Sequence, residues 1–123
     1  MTYFDGFVIA VPSDKKDEFV RHAETIDPMF LELGALRVHE CWGDDVPDGK
    51  VTDFRRAVQA TKDETVVFAF VEWPDKATRD AGFKKMESMM HTDERFNPEK
   101  NPMPFDGKRM IFGGFQTVYQ CTK

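Results

Sequence analysis

The stretch TVVFAFVEW, residues 65–73, constrains the fold more than any other part of this chain. Side chains alternate across a strand, so Val66, Phe68 and Phe70 share one face and Val67, Ala69, Val71 and Trp73 the other. Both sets are apolar, and such a strand needs cover on both sides. The segment YFDGFVIAV, residues 3–11, repeats the pattern: Tyr3, Phe7, Ile9 and Val11 alternate with Phe4, Val8 and Ala10. The two segments predict central strands of one sheet.

The rest of the chain supplies helices for only one of those faces. After Pro12, Ser13 or Asp14 caps a helix whose stripe is Phe19, Ala23, Ile26, Phe30 and Leu33. Pro28 predicts a kink or short break in it, and Gly34 a stop. ALRVHECW, residues 35–42, is a second strand followed by a VPDG turn, and FRRAVQA is predicted as a short extended piece returning along it. Pro74-Asp75 opens a second helix with Gly82, Met86 and Met89 on its apolar side, flanked by Phe83 and Met90. Residues 91–107 are an irregular loop with a helical turn near Thr92–Phe96. RMIFGGFQTVYQC, residues 109–121, is the last strand, where Gly113-Gly114 marks a bulge or a close backbone approach. The order is β-α-β-β-α-β, an α+β ferredoxin-like domain over residues 1–123.

In that arrangement both helices cover the same face. The other face is apolar and uncovered, which predicts a homodimer closed sheet to sheet. Twelve phenylalanines against two tyrosines agree with this, because so many rings need a large core or a second subunit.

A net charge of −5, with basic residues in isolated pairs beside acids, argues against nucleic acid as a partner. No apolar run reaches membrane-spanning length. MTYFDGFVIAVP has an acid and a strand pattern in place of a basic region and a long apolar run, so the cytoplasm is expected. Cys41 and Cys121 are then reduced thiols. They fit no metal-ligand spacing, and Asp44, Asp45, Asp48 and Asp53 fail the calcium-loop pattern and suit turns instead.

The stretches DGFVIAVP, GALRVHECWGDDVPDGKVTDF, ETVVFAFVEWPDKATRDAG and MPFDGKRMIFGGF resemble the YbaA-like family of uncharacterised bacterial proteins, over nearly the whole chain. The resemblance implies the architecture of the dimeric α/β-barrel superfamily. It implies no catalytic residues, because the family has no assigned activity.

Candidate site residues therefore come from chemistry alone. Arg37, His39 and Cys41 alternate on one face of the second strand, opposite Leu36, Val38, Glu40 and Trp42. The apolar set suits the helices, so the first set is expected to face the space between two sheets. His39 is the candidate acid or base, or else a hydrogen-bonded histidine of a dimer interface. Haem ligation by His39 is a third reading, one that would colour the protein; no cofactor is expected. Cys41 is read as a small buried side chain more readily than as a nucleophile. Lys108 and Arg109, beside Phe105, are candidates for holding an anionic or aromatic ligand near a cavity mouth, or for anchoring the long loop across the partner subunit. With Arg37, Cys41 and Glu72 they complete the candidate substrate-binding set, in which Arg37, Glu72 or Arg109 places a polar group of the substrate. Asp5 and Glu72 lie on faces otherwise apolar and need partners, for which Arg37 and Arg55 are the candidates. His22 and His91 are expected to be structural, His22 facing solvent. The expected function is a homodimer binding a small apolar or aromatic molecule between sheet and helices; the superfamily resemblance implies at most a cofactor-independent monooxygenase- or isomerase-like enzyme. The alternative is a non-catalytic interaction or regulatory module.

Overall fold

The structure, a computed structural model, describes residues 1–123. Strand β1 (Tyr3–Pro12) leads through a 3-10 turn (Ser13–Lys15) into α1 (Lys16–Ile26) and the short α2 (Pro28–Glu32). Then follow β2 (Arg37–Trp42), α3 (Phe54–Ala57), β3 (Glu64–Trp73), α4 (Lys76–Met89) and β4 (Ile111–Gln116). The four strands form one antiparallel sheet in the order β2-β3-β1-β4, the ferredoxin-like topology. The two strands with two apolar faces are the central ones.

Pro28 has no N–H to donate, so α1 ends at Ile26 and α2 restarts at the proline. Gly34 closes the unit with a φ of 112°, a conformation that favours glycine. α4 starts at the Asp75 cap, whose side chain accepts from the Thr78 N–H at 2.7 Å.

Three boundaries differ from the sequence expectation. β2 begins at Arg37, two residues late. FRRA is a helical turn, α3, and not an extended piece, because Asp53 caps it by accepting the Arg56 N–H at 2.7 Å. β4 stops at Gln116, and its glycines stay in register, Gly113 opposite Gly6 and Gly114 opposite Asp5, with no bulge. The close approach is real: a Cβ at Gly114 would lie 2.4 Å from the Tyr3 hydroxyl and 3.0 Å from an Arg79 nitrogen.

The helix-facing core contains Ile9, Val11, Phe19, Val67 and Ala69, continuing into Tyr3, Ala35, Val71 and the fully buried Trp73. Asp5 is buried within it. Its carboxylate accepts from Trp73 Nε1 at 2.9 Å and from the Arg79 guanidinium at 2.8 Å, while that guanidinium stacks over Phe83. The partner of Asp5 is therefore Arg79, not Arg37 or Arg55.

The opposite face is open over most of its area. One end is roofed by Val58, buried against Ala10 and Val66. Beyond it lie Phe4, Phe68, Phe70, Ile111 and Phe115, with Phe68 47% and Phe115 62% exposed. The Phe115 ring lies over Gly6 and Gly113, whose missing side chains make room for it.

Candidate functional site

Between the helix layer and the sheet lies a hollow of about 120 Å³. Its walls are β1 (Phe7, Ile9), α1 (Phe19, Ala23, Ile26), β2 (Val38) and the loop residues Phe105 and Met110. It adjoins a more open groove of about 400 Å³ between α1–α2 and β2, lined by Val20, Leu31 and Trp42. Phe19, Ala23, Asp27, Val38 and Glu40 border both.

Two of those shared residues are acids. Asp27 occupies the junction of α1 and α2, and Glu40 points from β2 toward the helices, in register with Ala69. They are near enough on the shared wall for the charge of Asp27 to act on Glu40. Desolvation in the hollow pushes both above the usual carboxylate range, and the charge of Asp27 pushes Glu40 further. Glu40 is exposed as a whole residue and borders both the hollow and the groove. Two carboxyls this close do not both ionise readily, and the higher proton affinity falls to Glu40, which feels both the desolvation and the charge of Asp27.

His22 lines the same hollow, contrary to its expected solvent-facing position. Its Nδ1–H donates to Asn101 Oδ1 at 3.1 Å, and its ring meets Phe105 edge-on at 6.1 Å. Burial lowers its basicity against the opposing effect of the Asn101 hydrogen bond. An imidazole and a carboxyl pair on an apolar pocket are the ingredients of acid–base chemistry.

The residues singled out from the sequence lie elsewhere. Arg37, His39 and Cys41 project from the open face of β2, as the alternation predicted, and none borders the hollow. His39 stacks on Phe70 with centroids 4.7 Å apart and 12° between planes. Arg37 Nη1 binds Glu72 Oε1 at 3.0 Å, one of the pairings foreseen for that acid. Cys41 is an exposed free thiol opposite Phe68, not a buried filler. At the far end of β3, the Arg109 guanidinium is occupied by Glu64 (2.6 Å), Asp106 (3.0 Å) and the Gln59 carbonyl (2.9 Å). It holds Glu64 at about 2, well below the usual carboxylate range. All three partners belong to its own chain. Lys108 is exposed on the same loop, its N–H donating to Asp106. Sequence reading missed Asp27 and Glu40, although ALRVHECW already placed an acid on its helix-facing side.

Over residues 2–107 the sequence matches the family described as Protein of unknown function (DUF1428). It is 55% identical over 118 residues to the uncharacterized protein YbaA of Escherichia coli strain K12, an alignment covering 96% of this chain and 97% of that one. The same figures hold for YbaA of Shigella flexneri. Among solved structures, a dimeric ferredoxin-like protein from an uncultured marine organism is similar with a TM-score of 0.57 at 12% identity, over 98% of this chain and 100% of that chain. That likeness is one of fold. No helix is long and apolar enough to cross a membrane.

Proposed function

Since the chain belongs to the DUF1428 family of proteins of unknown function, we propose its role from the geometry: a homodimer that binds a small, single-ring molecule in the hollow between helices and sheet. The observation that carries this reading is the acid pair on the wall shared by the hollow and the groove. A dry cavity of about 150 Å³ accepts benzene. The hollow, at about 120 Å³, suits the apolar end of such a ligand only if the rest extends past Asp27 and Glu40 into the groove. The carboxyl pair then meets the ligand's first polar group.

That arrangement supports isomerase-like chemistry without a cofactor. For a ligand with a carbonyl and an acidic C–H beside it, the protonated Glu40 gives its proton to the carbonyl oxygen. The carboxylate of Asp27 takes the proton from carbon, and the C–H electron pair becomes the enol double bond. Where a C=C bond adjoins that carbon the enol is a dienol: Asp27 returns its proton to the far end of the dienol, Glu40 takes back the proton of the enol oxygen, and the carbonyl re-forms with the double bond shifted. His39 belongs, in this reading, to the dimer face and not to the reacting centre.

Homodimerisation is supported by the open aromatic face and by the dimeric state of the solved relative in fold. The two exposed free thiols support a reducing compartment such as the cytoplasm. A purely interacting module is the competing reading, and it is favoured by the same aromatic face.

Methyl-detected NMR with acetophenone as the probe separates the two. Shifts at Ile9, Ile26 and Val38 that disappear in Ala23→Phe, which fills the hollow, support the pocket. Shifts confined to Ile111 and Val8 on the open face, or none at saturating probe, overturn it.

A further inference from the structure

The accessible surface of this chain is 8398 Å². A folded monomer of 14.2 kDa is expected to expose about 6,800 Å². The excess, about 1,600 Å² per chain, is roughly twice what each partner buries in a standard-size interface and falls in the range of permanent dimers.

Part of that excess is concentrated after β4. Thr117 is still tied to the start of β1, its N–H donating to the Thr2 carbonyl at 3.1 Å and its hydroxyl 3.0 Å from that of Thr2. Residues 118–123 make no backbone or side-chain hydrogen bond at all. Val118 is 89% and Tyr119 78% exposed, an apolar pair with little cover from its own chain. This segment walls a hollow of about 750 Å³ whose floor includes Phe4, Phe68 and Phe70, with the Arg37–Glu72 ion pair at its rim.

We propose that residues 117–123 are a clasp for a second copy of this chain, Val118 and Tyr119 of each subunit closing over the aromatic sheet face of the other. The proposal rests on the dimer reading and adds to it which segment crosses over. Three observations select a second copy as the occupant. The chain exposes more surface than a monomer of its mass, enough to supply a stable dimer interface. One face carries both the apolar floor and the apolar arm, so a single patch offers both halves of the contact, as a twofold interface requires. The arm's unpaired backbone groups also have no partner within their own chain, whereas the edge of an opposing subunit supplies N–H and C=O groups.

The test uses mixed dimers of the whole chain. One population is ¹⁵N-labelled and carries Cys41→Ser and Cys121→Ser. The other is unlabelled, carries Cys41→Ser, and bears a nitroxide on Cys121. The clasp requires paramagnetic broadening of the His39, Phe68 and Phe70 amides in the labelled subunit. A sedimentation experiment on the same samples reports the assembly. A dimer without that broadening overturns the clasp and leaves the dimer reading standing. A monomer at micromolar concentration overturns both. Tyr119→Asp is expected to weaken dimerisation about 10- to 100-fold, the loss typical of a buried aromatic anchor, with an unchanged circular dichroism spectrum. An unchanged dissociation constant for this variant also overturns the clasp.

Discussion

Glu40 shows how one residue combines fold and chemistry. It occupies a strand position whose neighbours Val38 and Trp42 face the helices, so its carboxyl is carried into a place that disfavours its charge. A carboxyl whose affinity for protons is raised by folding favours the folded state when protonated. That contribution is full at low pH and is lost as pH rises through the folded value, which for Glu40 is about 8. Glu40→Gln keeps the shape without the charge. Its thermal stability is expected to match the parent near pH 4 and to exceed it at pH 8.5 by about 1–2 kcal/mol, discounted for the residue's contact with solvent. Equal stabilities across that range would show the pair is not desolvated. The Asp5–Arg79 pair gives the opposite case. Arg79→Met leaves the Asp5 carboxylate buried with only the Trp73 indole for company, and a loss of about 3–5 kcal/mol in chemical denaturation is expected. The Asp5 pairing was only half legible in the sequence. An acid among Tyr3, Phe7 and Ile9 announces a buried carboxylate, but its partner is 74 residues away on α4. Asp27 beside Pro28 reads as an ordinary acid at a helix break, because Glu40 is brought to it by a separate element, β2.

At the scale of elements, period and punctuation carried most of the information. The alternation in β1 and β3, the aspartate cap of α4 and the stop at Gly34 were all readable, because each is a local consequence of side-chain shape or backbone freedom. What escaped was set at a distance or by a single polar group. FRRA reads as extended by composition but is turned into a helix by the Asp53 cap, and β4 ends early because nothing pairs with the backbone beyond Thr117. Gly82 is a useful probe of how elements meet. It is buried in α4 where a Cβ would lie 3.0 Å and 3.1 Å from two ring carbons of Trp73. Gly82→Ala gains about 1 kcal/mol of helix propensity. It also presses on an indole that cannot retreat, being fully buried and held by Asp5, and overpacking of that kind costs about 1–3 kcal/mol. The net expectation is a lower melting temperature. A higher one would mean α4 can slide on the sheet.

For the whole molecule, the decisive quantity is the apolar face without a cover. The sequence predicted that face from two alternating strands and one helix layer. It did not predict the partial roof, since Val58 reaches Ala10 and Val66 only because α3 turns the chain back. The remaining aromatic floor sets a clear expectation for Phe115→Asp, which changes a ring resting on two glycines and touching no buried core. Light scattering should report a monomer mass with the spectrum of the folded protein retained. A dimer mass would place the interface elsewhere.

The two tryptophans divide these two regions of interest between them. Trp73 is sealed in the core, whereas Trp42 forms a wall of the groove beside Glu40, within 5.8 Å of the Lys16 ammonium. The protein thus contains one emitter shielded from solvent and another exposed to whatever enters the groove. Red-shifted, quencher-accessible fluorescence isolates Trp42, so occupancy of the groove can be followed optically in the unmodified chain, with Trp73 as the internal reference.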